Sequence, residues 1–164
     1  MLSPDRYVCY PQTQQKMSTQ MTFKEALVDT LRFYSEDTSR RSKHGSDCIY
    51  VQRDGHRCAV GRLIKDGMEK LFVLFDGILH GNNIEAVVHA HQARAFGEGR
   101  NITETEAIAE LTVLSDATLS DLLFLQVIHD EDPNWDESGL TEFGEGTVRA
   151  FRPDVVGFSI LTPS

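Results

Sequence analysis

The sequence predicts an α+β domain in which a small antiparallel sheet packs with four to five helices. Three observations predict it. Between Cys48 and Gly61, Asp54-Gly55 separates two short apolar runs, and that dipeptide suits the positive φ values of a two-residue hairpin turn. Around this stretch, apolar residues recur at helical spacing, twice behind a Thr-x-x-Glu start. Near the end, Val156, Phe158 and Ile160 alternate as a last strand over 155–161 would. The order of helix, hairpin, several helices and a final strand beside the hairpin gives the α+β class.

Taken in order, residues 1–21 read as a poorly ordered arm, Gln-rich and without period, with Met1, Met17 and Met21 all available as starts. Residues 22–164 form one domain. Thr22 and Glu25 make a capping box, and Phe23, Leu27, Leu31 and Tyr34 form the stripe of an amphipathic helix over 23–36. A polar, basic loop over 35–47 leads into the hairpin 48–61. In the Asp54-Gly55 register Val51 faces Cys58 and Ile49 faces Val60, an apolar face, while Cys48, Tyr50, Gln52, Arg57 and Ala59 share the mixed one.

Met68, Leu71, Phe72, Phe75 and Leu79 predict a helix over 67–79, with a short buried strand at 71–75 as the alternative. A further helix over 83–96 puts Ile84, Val87, Val88, His91 and Ala95 on one face. Thr103 and Glu106 begin the next helix, and Thr118 or Ser120 caps another over 119–129, lined by Leu119, Leu122, Leu123 and Gln126. The end of that helix is unusual: Asp130, Glu131 and Asp132 stand beside the negative end of its dipole before Pro133 stops it. Residues 134–154 read as irregular.

At 164 residues the chain is one domain long, enough to bury about two-thirds of its unfolded surface. No apolar run reaches the roughly 18–20 residues of a membrane span, and no basic start precedes an apolar core, so the expected location is the cytoplasm of the producing cell. The three cysteines, Cys9, Cys48 and Cys58, form no disulfide framework, and Cys48 and Cys58 fall on opposite faces of the hairpin.

The net charge of −9 is unevenly spread. Residues 40–70 hold eight Lys and Arg against four Asp and Glu, a net +4, whereas 101–145 hold twelve acids and no Lys or Arg, a net −12. Either the two regions complement one another within the fold or across a homo-oligomer, or they form a basic patch for an anion and an acidic surface for a basic partner.

The chemistry-bearing residues offer three readings. Cys58, His129 and Asp130 are the residue types of a cysteine nucleophile, its base and an orienting group. However, the register buries Cys58, and neighbouring helical residues point about 100° apart. His80, His89, His91, His129 and the hairpin cysteines lack any metal-binding spacing, so no metal or cofactor is expected. What remains is an anion site in which Arg40, Arg41, Arg57 and Arg62 grip a phosphorylated or nucleotide-like ligand and Tyr50 or His56 stacks on a base.

Cys48, Tyr50, Gly55, Cys58, Ala59, Gly61 and Leu63, followed by Leu125, Gln126, His129 and Asp130, form the pattern C-x-Y, G-x-x-C-A-x-G-x-L and L-Q-x-x-H-D. Over roughly 22–130 this resembles a recurring set of small uncharacterised accessory proteins of tailed phages and prophages. The resemblance implies a setting, the cytoplasm of an infected bacterium, where such proteins often bind host factors or sequester nucleotide signals of host immunity; it implies no activity. Two function classes follow. The favoured one is a non-enzymatic accessory protein that binds a small anionic or nucleotide-like ligand, or a basic host protein through its acidic half as a nucleic-acid mimic would. The other is a small hydrolase using Cys58 or His129 and Asp130.

Overall fold

The computed structural model describes Met17 and residues 19–41, 49–51, 57–68, 73–75, 78–80 and 84–155. Within them the chain is α+β. Its five helices are α1 (Phe23–Glu36), α2 (Ile84–Gly97), α3 (Glu104–Leu111), α4 (Leu119–Asp130) and α5 (Glu142–Phe151). The strands are β1 (Ile49–Val51), β2 (Val73–Phe75), β3 (Ile78–His80), β4 (Trp135–Asp136) and β5 (Gly139–Leu140). One core holds the helices together, with Phe23, Leu27, Leu31, Leu63, Ile108 and Leu125 among its most buried members.

Three helices start at capping boxes. The Thr22 hydroxyl accepts from the Glu25 amide at 3.2 Å while the Glu25 carboxylate accepts from the Thr22 amide at 2.8 Å. Thr103 with Glu106, and Thr118 with Asp121, repeat the arrangement at α3 and α4. Each box satisfies two amides that the first turn leaves without helical partners. A fourth contact ties the ends together: the Phe23 amide, opening α1, donates to the Asp116 carboxylate at 2.7 Å.

The sheet adds one pairing and corrects one expectation. Its order is β1-β3-β2, antiparallel throughout, so β1 pairs with 78–80, a partner that the sequence does not indicate. Strands also replace the helix read over 67–79, β2 falling inside the stretch held as the strand alternative. The link between β2 and β3 is Asp76-Gly77 in the sequence, a second Asp-Gly signal that the helical spacing of the apolar residues obscured. The Asp54-Gly55 turn itself lies outside the described residues, as do most of the final strand read over 155–161 and residues 1–16 of the arm.

The return leg runs beside β1. The Cys58 amide donates to the Tyr50 carbonyl at 3.2 Å, after which residues 61–63 wind into one turn of 3-10 helix. The approach is so close that a Cβ on Gly61 would lie 1.9 Å from the Tyr50 carbonyl oxygen. The leg then meets the chain after α3: Val113 donates to the Leu63 carbonyl and Lys65 to that of Leu111, each at 2.9 Å. Met17 and Met21 complete the layer, donating to Arg62 at 3.0 Å and Val113 at 2.9 Å, so this end of the arm lies against the domain.

Two further corrections concern the C-terminal half. The buried side of α4 is Leu122, Phe124, Leu125, Ile128 and His129, which leaves Leu123 partly exposed where the sequence placed it inside. Residues 134–154, read as irregular, hold the β4–β5 hairpin and α5. Gly144 and Gly146 disguise α5, because each glycine lowers helix propensity by about 0.5–1 kcal/mol relative to alanine. Gly144 has an internal reason: a Cβ there would sit 2.6 Å from the Asn134 carbonyl oxygen and 2.5 Å from Leu140.

Gly61 supplies a direct test of the crossing over β1. Gly61→Ala forces a methyl group into backbone that cannot yield, and urea denaturation should show a loss of about 3 kcal/mol. A variant as stable as the wild type would mean that the return leg does not pass over Tyr50.

Candidate functional site

The arginines of the expected anion site are engaged inside the fold. Arg40 lies 4.6 Å over the Phe33 ring and donates to the Phe33 carbonyl at 3.0 Å and to Glu36 at 3.1 Å. Arg62, only 3% exposed, lies 3.8 Å over the same ring and pairs with Asp29 at 2.9 Å. Arg57 is half-buried and donates to the Gly61 carbonyl at 3.0 Å. Arg41 turns the other way, to the end of α4, where its Nε donates to the His129 carbonyl at 2.8 Å and its Nη2 stands 3.5 Å from Asp132.

Tyr50 corrects the face assignment. It is fully buried, and its hydroxyl accepts from Gln126 Nε2 at 3.2 Å, so its ring offers no exposed stacking face. Its carbonyl accepts from the Cys58 amide at 3.2 Å, whereas the expected register sets Val51 opposite Cys58. His56 lies outside the described residues.

Arg41 also explains the carboxylates at the end of α4. Its guanidinium takes a carbonyl from the helix end and neutralises Asp132, offsetting the charge that the dipole disfavours. Burial pulls its pKa below the ordinary arginine value, and Asp132 opposes that shift. Trp135 packs beside it, the guanidinium 5.5 Å from the indole, while the indole N–H donates to the Ile128 carbonyl at 2.7 Å.

His129 and Asp130 differ from the expected divergence: His129 Nδ1 lies 2.7 Å from the Asp130 carboxylate. Asp130 is the last residue of α4, and the chain leaves helical geometry at Glu131, so its side chain is free to swing back. The pair has the orientation of a general base and its carboxylate, yet His129 is 1% exposed and its ring packs edge-on against Tyr34 at 4.8 Å. Cys58 is buried as the sequence predicts, its sulfur accepting from the Gly61 amide at 3.3 Å. Burial pushes the Tyr34 phenol, which lies between these elements, well above the ordinary tyrosine value. A nucleophile and base in this position are packed as core groups.

The acidic half separates into two sets. Eight of the twelve acids in 101–145 hold the fold. Glu106 and Asp121 close capping boxes, and Asp130 and Asp132 meet His129 and Arg41. Asp116 holds α1, Glu104 accepts from the Leu119 amide at 3.3 Å, and Asp136 accepts from the Ser138 amide at 2.7 Å. Glu110 binds Arg100 at 2.6 Å and His91 at 2.7 Å, and Arg100 first, then His91, lower its pKa. The side chains of the other four, Glu131, Glu137, Glu142 and Glu145, have no hydrogen bond or ion pair among the described residues. All four lie in one stretch, from the end of α4 through the β4–β5 hairpin into α5.

The exposed apolar surface belongs to the two helices that this stretch joins. Of the five large apolar side chains exposed among the described residues, four belong to α4 and α5: Leu123, Val127, Phe143 and Phe151. Phe143 is 64% exposed. Between the two helices is a groove of about 640 Å³ lined by Phe124, Phe143, Gly146, Thr147, Ala150 and Phe151. One wall is fixed by a parallel stack of Phe124 on Phe151, centroids 4.1 Å apart and planes at 7°. The sequence hid this site because residues 134–154 gave no helix, and a groove between two helices is invisible until both are placed.

Among the described residues there is no cluster suited to a metal ion, and no helix is long and apolar enough to cross a membrane. Comparison with known proteins gives no matching family model, no similar curated protein and no similar solved structure.

The internal roles of these residues are testable. Arg41→Ala should lower stability by about 1.5–3 kcal/mol, the scale of a charged hydrogen bond, with or without inorganic phosphate in the buffer. Phosphate-dependent stabilisation of the wild type that the variant lacks would restore Arg41 to a ligand site. Cys58 should react with a thiol reagent only as fast as the protein opens. Cys58→Ser should cost about 1–3 kcal/mol, while Cys58→Val is tolerated. Rapid native-state labelling would mean that the sulfur is accessible and the hydrolase reading stands again.

Proposed function

We propose that this protein is a non-enzymatic binding protein that engages a protein partner through the outer face of α4 and α5. One observation carries the reading: α4 and α5 form an apolar groove, and the four uncommitted carboxylates lie in the chain between and within these two elements. Exposed apolar patches rimmed by polar groups mark interaction sites. The negative rim selects a partner segment that is basic as well as apolar. Over 131–149 these four carboxylates stand against one exposed guanidinium, that of Arg149, a negative balance that favours fast, salt-sensitive encounter.

The resemblance to phage accessory proteins supplies the setting, in which the partner is a host protein of the infected cell's cytoplasm and the consequence is interference with a host function such as defence. The nucleic-acid-mimic reading survives in reduced form, since most of the acids serve the fold and four remain for a partner. Capture of a nucleotide by the basic segment has less support, because the arginines are engaged and Tyr50 is buried.

The test uses a fluorescent, helix-forming peptide of alternating Lys and Leu faces, with a Glu/Leu peptide of the same length as control. Anisotropy should report binding of the basic peptide alone, weakening as salt rises from 50 to 500 mM because screening shortens the reach of the acidic rim. Phe143→Asp, on an exposed side chain, should keep the fold and weaken binding at least tenfold. Equal binding by wild type and Phe143→Asp, or equal binding of the acidic peptide, would remove this face as the partner site.

A further inference from the structure

We infer that the groove is built to receive one large apolar anchor, an aromatic side chain of a basic amphipathic helix, and that Gly146 is the residue that admits it. The inference rests on the α4–α5 face being the partner site and names what that face recognises.

Gly146 has no reason of its own to be glycine. It sits inside α5, where glycine weakens the helix, and its φ is not in the left-handed region. A Cβ built on it meets nothing within 4 Å. Gly144, two residues earlier, differs on this point, since a Cβ there would strike Leu140 and the Asn134 carbonyl. The packing of this chain therefore explains one glycine of α5 and not the other. The space above Gly146 is the groove itself, which Gly146 lines with Ala150 while Phe143, Phe124 and Phe151 line it as larger groups.

The chemistry of the lining sets the class of the anchor. Its one polar side chain is Thr147, whose hydroxyl donates to the Phe143 carbonyl at 3.0 Å and so has an internal partner. The groove otherwise offers ring faces, ring edges and methyl groups, which suit an aromatic ring in offset or edge contact. A buried aromatic anchor surrounded by charged contacts is the usual arrangement of an interface hot spot. Glu142 and Glu145 directly precede the lining residues Phe143 and Gly146 in α5, and such neighbours call for Lys or Arg on the partner helix beside its anchor.

Gly146→Leu fills the groove from its floor, and Gly146→Ala adds a single methyl into the same open space. Both should melt no lower than the wild type. Two probes read the groove: a Lys/Leu peptide carrying one Trp on its apolar face, with its Trp→Ala version, and indole followed through amide shifts. In the wild type the Trp peptide should bind at least tenfold tighter than its Trp→Ala version, and indole should shift the Gly146, Thr147 and Ala150 amides. Gly146→Leu should abolish both effects, and Gly146→Ala should weaken them. If Gly146→Leu binds the Trp peptide like the wild type while Phe143→Asp does not, the face stands and the anchor is wrong. Should neither substitution matter, both fail. Absence of indole shifts at these amides in the wild type also overturns the anchor.

Discussion

Tyr34 is the contact on which the arrangement of the domain depends. Its hydroxyl donates to the Arg57 carbonyl at 2.7 Å, which fixes the return leg after β1 against α1. Its ring meets Phe33 at 5.0 Å, His129 at 4.8 Å and Trp135 at 6.1 Å, in each case edge to face. One fully buried phenol thus joins α1, the segment before the 3-10 turn, the end of α4 and the β4–β5 hairpin. A buried hydroxyl must keep its partner, because an unpaired one costs about 1–3 kcal/mol, so the carbonyl of Arg57 and the phenol constrain each other. With the end of α4 held there, β4–β5 and α5 follow it, and the groove faces outward.

The charge pattern follows from the same arrangement. In the sequence the basic and acidic stretches suggest two surfaces for two kinds of partner. In the fold they largely meet local needs. Arg41 sits under the end of α4 and pairs with Asp132, and Arg62 is held between Asp29 and the face of Phe33. Acids at the starts of α1, α3 and α4 serve as caps, each near the positive end of a helix dipole. Subtracting these internal duties leaves four carboxylates of the −12 over 101–145, and two of them, Glu142 and Glu145, stand in the helix that lines the groove. That residue of unassigned charge and apolar area is what a partner has available to recognise.

Local signals in the sequence were legible and non-local ones were not. The capping boxes at Thr22 and Thr103 depend on residues three apart and form as read, and of the two caps offered for α4 Thr118 is the one used, in a box with Asp121. The α+β class and the burial of Cys58 were legible for the same reason, through short-range alternation. Strand pairing was not: β1 chose β3 across nearly thirty residues, and the apolar residues of 67–79 fit a helix and a hairpin equally well until Asp76-Gly77 is weighed. Tyr50, on the mixed face in the expected register, is fully buried. The carboxylate at Asp130 was misjudged by applying ideal helix angles to a terminal residue. The groove was missed because helix propensity counts Gly144 and Gly146 alike, whereas only packing separates them.

Hydrogen exchange of the full chain, with and without the Lys/Leu peptide carrying Trp, measures the central division between internal arginines and an outward-facing groove. The account predicts added protection in α4 around Leu123 to Val127 and in α5 from Phe143 to Phe151, with 38–41 and 57–63 unchanged. Protection appearing in those arginine-bearing segments instead, with α4 and α5 exchanging as before, would contradict it.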